Sequence, residues 1–365
     1  QVGQALSTGW PQALKTAYNQ QWNFTIQREF AKSTVVEVAY AGNKGTHLDI
    51  GELAGPNMNQ LRPELVKAES NLNDLVRNPF YGYVTTGALA QPTVQRAQLL
   101  KPYPHFNSVR PKSTAWGNSN YHALQTRFER RFSGGTSFAA AYTFSKIISD
   151  GTDGRWNDAT VPSGGLIRSW YCRSCDRALS SYDVKHRLVF NFTYELPFGK
   201  GKKWGAGWNR AADSVIGGWQ MNGILTLASG QPIIITQASN TSFTFGGNQH
   251  PDSTGMEANL GDAKTLARWF DVSQFKVAQS YDLGNMGRVH PSIRQDSTRV
   301  MDFSLFKMAR ITERWKLQFR AEAFNLGNTP VFSKPDANIQ SVTVGQVNGM
   351  NNSPRQVQLA LKLLF

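Results

Sequence analysis

Apolar and polar residues alternate along nine stretches of the chain, most clearly in the last one. In residues 355–365, Val357, Leu359, Leu361, Leu363 and Phe365 fall on one face of an extended strand, opposite mostly polar residues. The nine predicted strands cover about residues 21–30, 34–41, 121–132, 136–147, 186–197, 214–228, 298–309, 315–325 and 355–365; residues 231–237 could lengthen the sixth or add a tenth. A soluble sheet buries its apolar face, whereas a barrel in lipid turns that face outward.

The connections between the predicted strands alternate in length. Short links follow the first, third, fifth and seventh strands, whereas residues 42–120, 148–185, 229–297 and 326–354 form long segments. Long loops without structure are uncommon in compact soluble domains, but long outer loops and short periplasmic turns are the rule in outer-membrane barrels. The sequence therefore predicts an all-β fold: an antiparallel transmembrane β-barrel segment of about nine or ten strands with long extracellular loops, in the bacterial outer membrane.

Aromatic residues lie beside the short links or at the chain end, namely Phe30, Phe132, Phe198, Trp315 and Phe365. One rim of a barrel would hold all of them, as an aromatic girdle does. The tail resembles the Phe-ending last strand of bacterial outer-membrane barrels, so Phe365 is a candidate assembly signal for the barrel-assembly machinery.

The direction of the strands indicates whether residues 1–365 would form a whole barrel. If the ninth strand ends in the periplasm, residues 1–20 lie outside the cell, whereas complete single-chain barrels have an even strand number and both termini in the periplasm. We therefore expect residues 1–365 to be the carboxyl-terminal part of a larger barrel, forming an open sheet whose first and ninth strands do not pair.

Composition and charge agree with a barrel. The chain has 365 residues, a mean hydropathy of −0.41 and no apolar run near the roughly 18 residues of a membrane helix. Residues 1–18 do not read as a signal peptide. The net charge of +14 suits solvated loops, or attraction for anionic ligands and lipopolysaccharide phosphates. Lys and Arg form no single stripe, so nucleic acid is not an expected partner.

Four stretches of the sequence together resemble a known protein family. They are DRALSSYDVKHRLVFNFTYELPFGKGKKW (176–204), GGWQMNGILTLASGQPIIIT (217–236), MDFSLFKMARITERWK (301–316) and LQFRAEAFNLGNTPVF (317–332). Together they resemble the barrel end of Oar-like TonB-dependent outer-membrane proteins, from the first strand to Phe365. The resemblance implies energised uptake of a large or scarce ligand through a plugged barrel of about 22 strands. We expect the plug and the amino-terminal regulatory-like domain to be absent from residues 1–365, so that the TonB system acts only through that missing plug. The alternative is a structural or adhesive surface protein without transport.

Catalytic and cofactor sites are not expected. The six His residues are scattered without metal-ligand spacing, and no phosphate-loop motif occurs. A soluble β-rich enzyme is the third hypothesis, and the sequence offers it no catalytic set.

The segment between the fourth and fifth predicted strands carries two candidate sites. Cys172 and Cys175 form a C-x-x-C motif, which fits a redox site, half a zinc site or a local disulfide. An exported loop favours the disulfide. Asp150, Asp153 and Asp158 are a calcium candidate, but their spacing does not match an EF-hand, so solvated turn carboxylates are the favoured reading.

Polar residues at alternate strand positions are predicted to face the lumen: Arg127, Glu129, Arg131, Arg187, Asn191, Glu195, Asp302, Gln318, Arg320 and Glu322. They could contact a plug or a solute, or satisfy one another as cross-strand ion pairs, which we favour for Arg320 and Glu322. Two loop helices are also predicted, over residues 63–76 and 262–270.

Overall fold

Nine long strands pair in chain order into one antiparallel sheet. The computed structural model describes residues 2–3, 5–9, 15–31, 33–49, 57–68, 71–111, 114–150, 167–242, 249–312 and 314–365. The strands are β1 (Tyr18–Ala31), β2 (Thr34–Asp49), β3 (Ala115–Ser133), β4 (Thr136–Ser149), β5 (His186–Glu195), β6 (Trp219–Ala228), β7 (Thr298–Arg310), β8 (Lys316–Phe324) and β9 (Gln356–Leu364). A two-residue strand, Ala178–Leu179, adds to the end of β4.

The sheet is open. In the part of the chain that the structure describes, β1 pairs only with β2, and β9 pairs only with β8. The expectation that the first and ninth strands do not pair with each other is confirmed.

The register between strands keeps their apolar positions on one face. One row across the sheet runs through Val36, Phe128, Ala140, Phe190, Leu225 and Met301. Many of these side chains lie uncovered: Phe24 is 66% exposed and Leu359 is 69% exposed. We call this surface the apolar face. It is far larger than the apolar patches of soluble monomers, so it requires an apolar environment.

The opposite surface, the polar face, carries the residues that were predicted to face a lumen. One row runs through Glu129, Ala139, Asn191, Ile224 and Asp302. Strand alternation then adds the remaining predicted polar residues of β3, β5 and β8, except that Arg131 lies within a register irregularity between Arg130 and Ser133.

The short connections all lie at one end of the sheet, which we call the turn end. The β3–β4 turn places Gly134 and Gly135 at φ +60° and +80°, conformations that side chains with a Cβ rarely adopt. The rings of Trp315 and Phe365 meet there, with their centroids 5.4 Å apart. The aromatic rim that the sequence predicts is present at this point.

Three short helices occur in the described residues, and they correct two predictions. They are α1 (Pro63–Ala68), α2 (Arg96–Leu99) and α3 (Arg210–Ile216). The predicted helix 63–76 ends early, because Leu75–Arg77 pairs instead with the strand Thr93–Gln95. The predicted sixth strand begins only at Trp219, because Asn209 caps α3 by accepting from the Ala212 amide at 2.8 Å.

The predicted helix over residues 262–270 is wrong. Only a 3₁₀ turn, Gly261–Ala263, forms there, because Trp269 and Phe270 are drawn into a buried core. Residues 231–237 do not form a strand of the sheet either, since Ile233 and Ile235 enter the same core. No helix in the described residues has the length and apolar character needed to cross a membrane.

The four long connections fold together at the other end of the sheet, the loop end. We call their described residues within 57–111, 150–185, 229–297 and 325–355 the loop assembly. Its main core contains Ile233, Ile235, Ala258, Trp269, Phe270, Phe275, Met286, Ile293 and Val347. A second core contains Leu61, Val66, Leu72 and Ala97. The connections therefore form a folded layer with its own buried apolar side chains.

Candidate functional site

The segments of the loop assembly are joined by hydrogen bonds between distant parts of the chain. The Gln60 side-chain oxygen accepts from the Trp170 amide at 2.7 Å and from the Ser169 hydroxyl at 3.3 Å. On the other side, the Thr236 amide donates to the Ala337 carbonyl at 2.9 Å. Such cross-links hold a surface in one shape before any ligand arrives, which reduces the entropy lost on binding.

Arg288 ties the loop assembly to the end of the sheet. Its side chain is fully buried, and its guanidinium donates to the Ser149 hydroxyl at 2.7 Å and to the Asp176 carbonyl at 3.2 Å. The sequence analysis missed this residue, because a lone Arg between Gly287 and Val289 has no local pattern that signals burial.

Asp176 lies beside two guanidinium groups. The Arg168 amide donates to its carboxylate at 3.0 Å, and the Arg168 Nε lies 3.6 Å from its other oxygen. Burial nevertheless raises the pKa of Asp176 to about 6, and the Arg168 bond and the Arg168 and Arg288 charges only partly oppose this. The cluster therefore serves to position the backbone and offers no charge at the surface.

Cys172 and Cys175 are joined by a disulfide, with their Cα atoms 5.4 Å apart. Arg168 donates to the Cys175 carbonyl, which connects this bridge to the buried cluster. Beside it, the Trp116 and Trp170 rings stack with centroids 4.6 Å apart, and Arg173 lies 5.0 Å from the Trp116 ring. The aromatic residues near the bridge thus pack the segment onto β3.

The calcium candidate receives no support from its one described member. Asp150 accepts from Arg177 at 3.1 Å and from the Asn118 side chain at 3.0 Å, so protein donors already occupy its carboxylate. Asp153 and Asp158 lie outside the described residues. Within the described ranges, no group of three or more His, Cys, Asp or Glu is placed to hold a metal ion.

The charged residues of the polar face pair along strands. Arg127 lies 2.5 Å from Glu129, and Arg320 lies 3.1 Å from Glu322, each pair on one strand. The predicted ion pair between Arg320 and Glu322 therefore forms, but along β8 and not across strands.

The other predicted polar-face residues have varied surroundings. Glu195 is bound by Lys202 from the β5–β6 link at 2.5 Å, and Asp302 accepts from the Asn325 amide at 2.8 Å. For Arg131 and Arg187, no ion pair occurs with any residue that the structure describes. Of these two residues, only Arg187 is placed on the polar face by the strand register, opposite Thr143 and Ala228.

An exposed pair of tyrosines projects from the β2–β3 segment. Tyr83 is 89% exposed and Tyr81 is 55% exposed. The turn that carries them is held by Asn78, whose amide donates to the Leu89 and Gln91 carbonyls at 2.7 Å each. We call Tyr81 and Tyr83 the tyrosine tip. Sequence reasoning missed it, although the aromatic–Gly–aromatic order in residues 81–83 is a usable signal.

A shallow groove on the loop assembly brings Ser292, His290 and Glu257 together. The Ser292 hydroxyl donates to Glu257 at 2.5 Å, and this bond lowers the pKa of Glu257. Nδ1 of His290 accepts from the Ile293 amide at 3.3 Å, and burial lowers the pKa of His290. Because the hydroxyl donates to the carboxylate, the trio does not have the nucleophile–base order of a hydrolytic triad.

The chain was compared with known proteins. A family model described as outer membrane beta barrel domain matches residues 2–358. Among curated proteins, none is similar enough to count as a relative. Among solved structures, the outer membrane transporter YddB from Escherichia coli aligns with a TM-score of 0.45 and 10% identity, over 98% of this chain and 34% of that chain. The chain thus spans about a third of the length of that transporter.

The family match covers nearly the whole sheet and agrees with its geometry. The nine-strand antiparallel sheet presents a continuous apolar face, a charged opposite face, and connections of unequal length at its two ends. Each of these is a property of barrels that cross the outer membrane. The chain belongs to the outer membrane β-barrel domain family, and it lies in the bacterial outer membrane.

Proposed function

We propose that this chain forms barrel wall and ligand-collecting loops of an Oar-like, TonB-dependent outer-membrane transporter or receptor. The observation that carries the proposal is the folded loop assembly on one end of the sheet. Its buried apolar cores and its cross-links between segments give it a fixed shape. A fixed outer surface suits capture of a scarce ligand, because little entropy is lost when the ligand binds.

The polar face supports passage along the wall. Arg187 is a charge on this face that suits a plug or a solute, while Arg127 and Arg320 are already paired with Glu129 and Glu322. In this proposal the TonB system acts through a plug supplied by another part of the protein, and the chain carries out binding and passage without a catalytic step.

The tyrosine tip is the proposed first contact with the ligand. Its rings are exposed on a turn whose base is anchored by Asn78, so they can stack on a flat or apolar ligand surface without reordering the loop. The test uses probes of three chemical classes.

The test compares cells that express the full-length gene with cells that lack it. Three fluorescein-labelled probes are supplied separately: a maltodextrin, a tryptic peptide mixture and a ferric hydroxamate. Trypan blue quenches dye outside the cell, so the remaining signal reports uptake. We expect at least one probe to accumulate in a gene-dependent manner, and a protonophore to abolish that accumulation. The double change Tyr81→Ser and Tyr83→Ser should reduce it severalfold.

A matched control is Val342→Ser, which changes another fully exposed residue of the loop assembly. It should leave accumulation unchanged. Gene-dependent fluorescence that trypan blue removes completely would favour the adhesive alternative, and no gene-dependent signal with any probe would reject both roles for these ligand classes.

A further inference from the structure

The connection between β5 and β6 is unlike the other connections of the turn end. It runs over residues 196–218 and contains α3. It holds four cationic residues, Lys200, Lys202, Lys203 and Arg210, and one acid, Asp213. A solvated turn would account for the lysines, but it does not account for a capped helix in a link at this end.

The carboxyl end of α3 is hydrogen-bonded to side chains of the apolar face of the sheet. The Lys307 ammonium donates to the Val215 carbonyl at 2.9 Å and to the Gly217 carbonyl at 2.6 Å. The Trp219 indole donates to the same Val215 carbonyl at 3.0 Å. These two donors satisfy carbonyls that a helix end leaves without intrahelical partners.

The strand register fixes which face these donors occupy. Lys307 stands opposite Trp219 on one side and Phe319 on the other, and Phe319 stands opposite Leu361. Leu361 belongs to the apolar alternation of β9, so the whole row lies on the apolar face. The carboxyl end of α3 therefore sits over the surface that meets lipid, at its turn end.

The last two residues of the helix are apolar and uncovered. Val215 is 68% exposed and Ile216 is 49% exposed. Asp213 of the same helix faces the link, since its carboxylate accepts from the Lys200 amide at 2.7 Å. The exposed apolar pair is thus continuous with the lipid-facing surface and is not covered by any residue that the structure describes.

We propose that α3 is an interfacial helix that anchors the turn end of the barrel wall in a phospholipid leaflet. Val215 and Ile216 enter the boundary between headgroups and acyl chains, and Lys200, Lys203 and Arg210 of the link favour anionic phospholipid headgroups. Apolar side chains on one side of a short helix beside basic residues and Trp are the combination that membrane interfaces select. The occupant is lipid because the helix extends a surface that already contacts lipid.

The experiment measures how close single labelled residues are to lipid. The two cysteines of residues 1–365 are bonded to each other, so a cysteine placed at position 215 or 216 is the only free thiol of these residues for a nitrobenzoxadiazole maleimide, and any cysteine outside them is replaced by serine. Val215→Cys and Ile216→Cys are made in the full-length protein, which is purified and reconstituted into vesicles of phosphatidylcholine and phosphatidylglycerol with brominated acyl chains. Heat-modifiable migration confirms that each variant is folded.

Matched positions calibrate the signal. Leu359→Cys reports the apolar face, Val342→Cys reports the loop assembly, and Ala211→Cys reports the first turn of the same helix. We expect brominated lipid to quench labels at 215 and 216 about as strongly as at 359, and to leave the label at 342 nearly unquenched. The label at 211 should be intermediate. Labels at 215 and 216 that aqueous iodide quenches, while brominated lipid does not, would overturn the proposal.

A second set of vesicles tests the contribution of anionic headgroups. Replacing phosphatidylglycerol with phosphatidylcholine should reduce the quenching at 215 and 216 and leave that at 359 unchanged. Unchanged quenching at all three positions would show that anionic headgroups do not contribute to the binding of α3 to the leaflet. Proximity to lipid is measured without any transport assay, so this result stands apart from the proposed transport role.

Discussion

Gly284 and Gly255 share a backbone conformation but differ in their surroundings. Both lie in the loop assembly with φ near +76° and +79°. A Cβ on Gly284 would lie 1.8 Å from the His250 carbonyl oxygen, whereas a Cβ on Gly255 would have no atom within 4 Å. The Gly284 carbonyl also accepts from Arg168 at 2.9 Å, so this glycine sits where the buried cluster meets the backbone.

The first prediction compares Gly284→Ala with Gly255→Ala. Each variant bears the strain of a left-handed alanine, about 1–2 kcal/mol, and Gly284→Ala adds backbone overlap of about 1–3 kcal/mol. On intact cells, proteinase K should cleave the loop assembly of Gly284→Ala at lower temperature than that of Gly255→Ala. Equal resistance of the two variants would mean that the contact with His250 is not tight.

His250 gives the loop assembly a dependence on pH. The pKa of His250 is lowered to about 4, chiefly by burial and also by the Arg168 and Arg288 charges, and bonds to the Met286 and Gly287 carbonyls only partly oppose this. The folded state thus binds this proton less readily than the unfolded state. His250 therefore lowers stability as the pH falls from about 6.5 toward 4. Asp176 acts in the opposite sense, because its raised pKa makes the folded state bind a proton first.

The second prediction isolates His250 with His250→Gln. Between pH 7 and pH 4, the free energy of unfolding of the native protein should fall by up to about 3 kcal/mol relative to the variant. Tryptophan fluorescence melts of both proteins in detergent at pH 7, 5 and 4 measure this difference. A difference that stays constant across these pH values would place His250 in contact with solvent.

At the scale of elements, alternation was sufficient to find all nine strands but not their ends. It stopped β2 at residue 41, whereas the ladder with β3 continues to Asp49, because backbone pairing persists where the apolar pattern fades. It also missed α3, since Val215 and Ile216 read equally well as strand. The alternation predicts which face of the sheet each side chain occupies. The neighbouring strand determines where the hydrogen-bonded ladder ends, and that cannot be read from the alternation.

The third prediction tests the two faces of β9. Leu359 lies on the apolar face, and Gln358 stands opposite Glu322 on the polar face. Leu359→Arg should destabilise the inserted barrel by about 2–4 kcal/mol if it lies near the bilayer midplane, while Gln358→Arg gains an acidic neighbour. Yields of heat-modifiable protein in outer membranes compare the two variants. Similar yields would contradict the assignment of faces.

The whole molecule consists of a sheet that needs lipid and a loop assembly that has its own core. Little of that core could be predicted, because its members are scattered from Ile233 to Val347 without a period of two or of 3.6. The disulfide could be predicted from the local spacing of the two cysteines. The burial of Arg288 could not, because its partner Ser149 is distant in the sequence. Short-range patterns reveal strands, and long-range packing appears only when the chain is folded.

The fourth prediction separates these two parts. Phe270 is fully buried in the main core of the loop assembly, so Phe270→Ala should destabilise that core by about 3–5 kcal/mol. The sheet should still insert, because its register and apolar face are untouched. Heat-modifiable migration should therefore persist while trypsin cleaves the loops of intact cells.

The exposed Tyr83→Ala serves as the control, since its ring contributes little burial. Loss of heat-modifiable migration in Phe270→Ala would show that the loop assembly and the sheet fold as one unit.

The strand register also decides where the gene tolerates a change of length. One codon inserted in the middle of β3 would exchange lipid-facing and solvent-facing side chains from that point to the next turn. The same insertion beside Val342, which is 97% exposed in a connection, moves no strand. Epitope tags and natural insertions should therefore accumulate in the four long connections, whereas the coding intervals of the nine strands should keep their length to the residue.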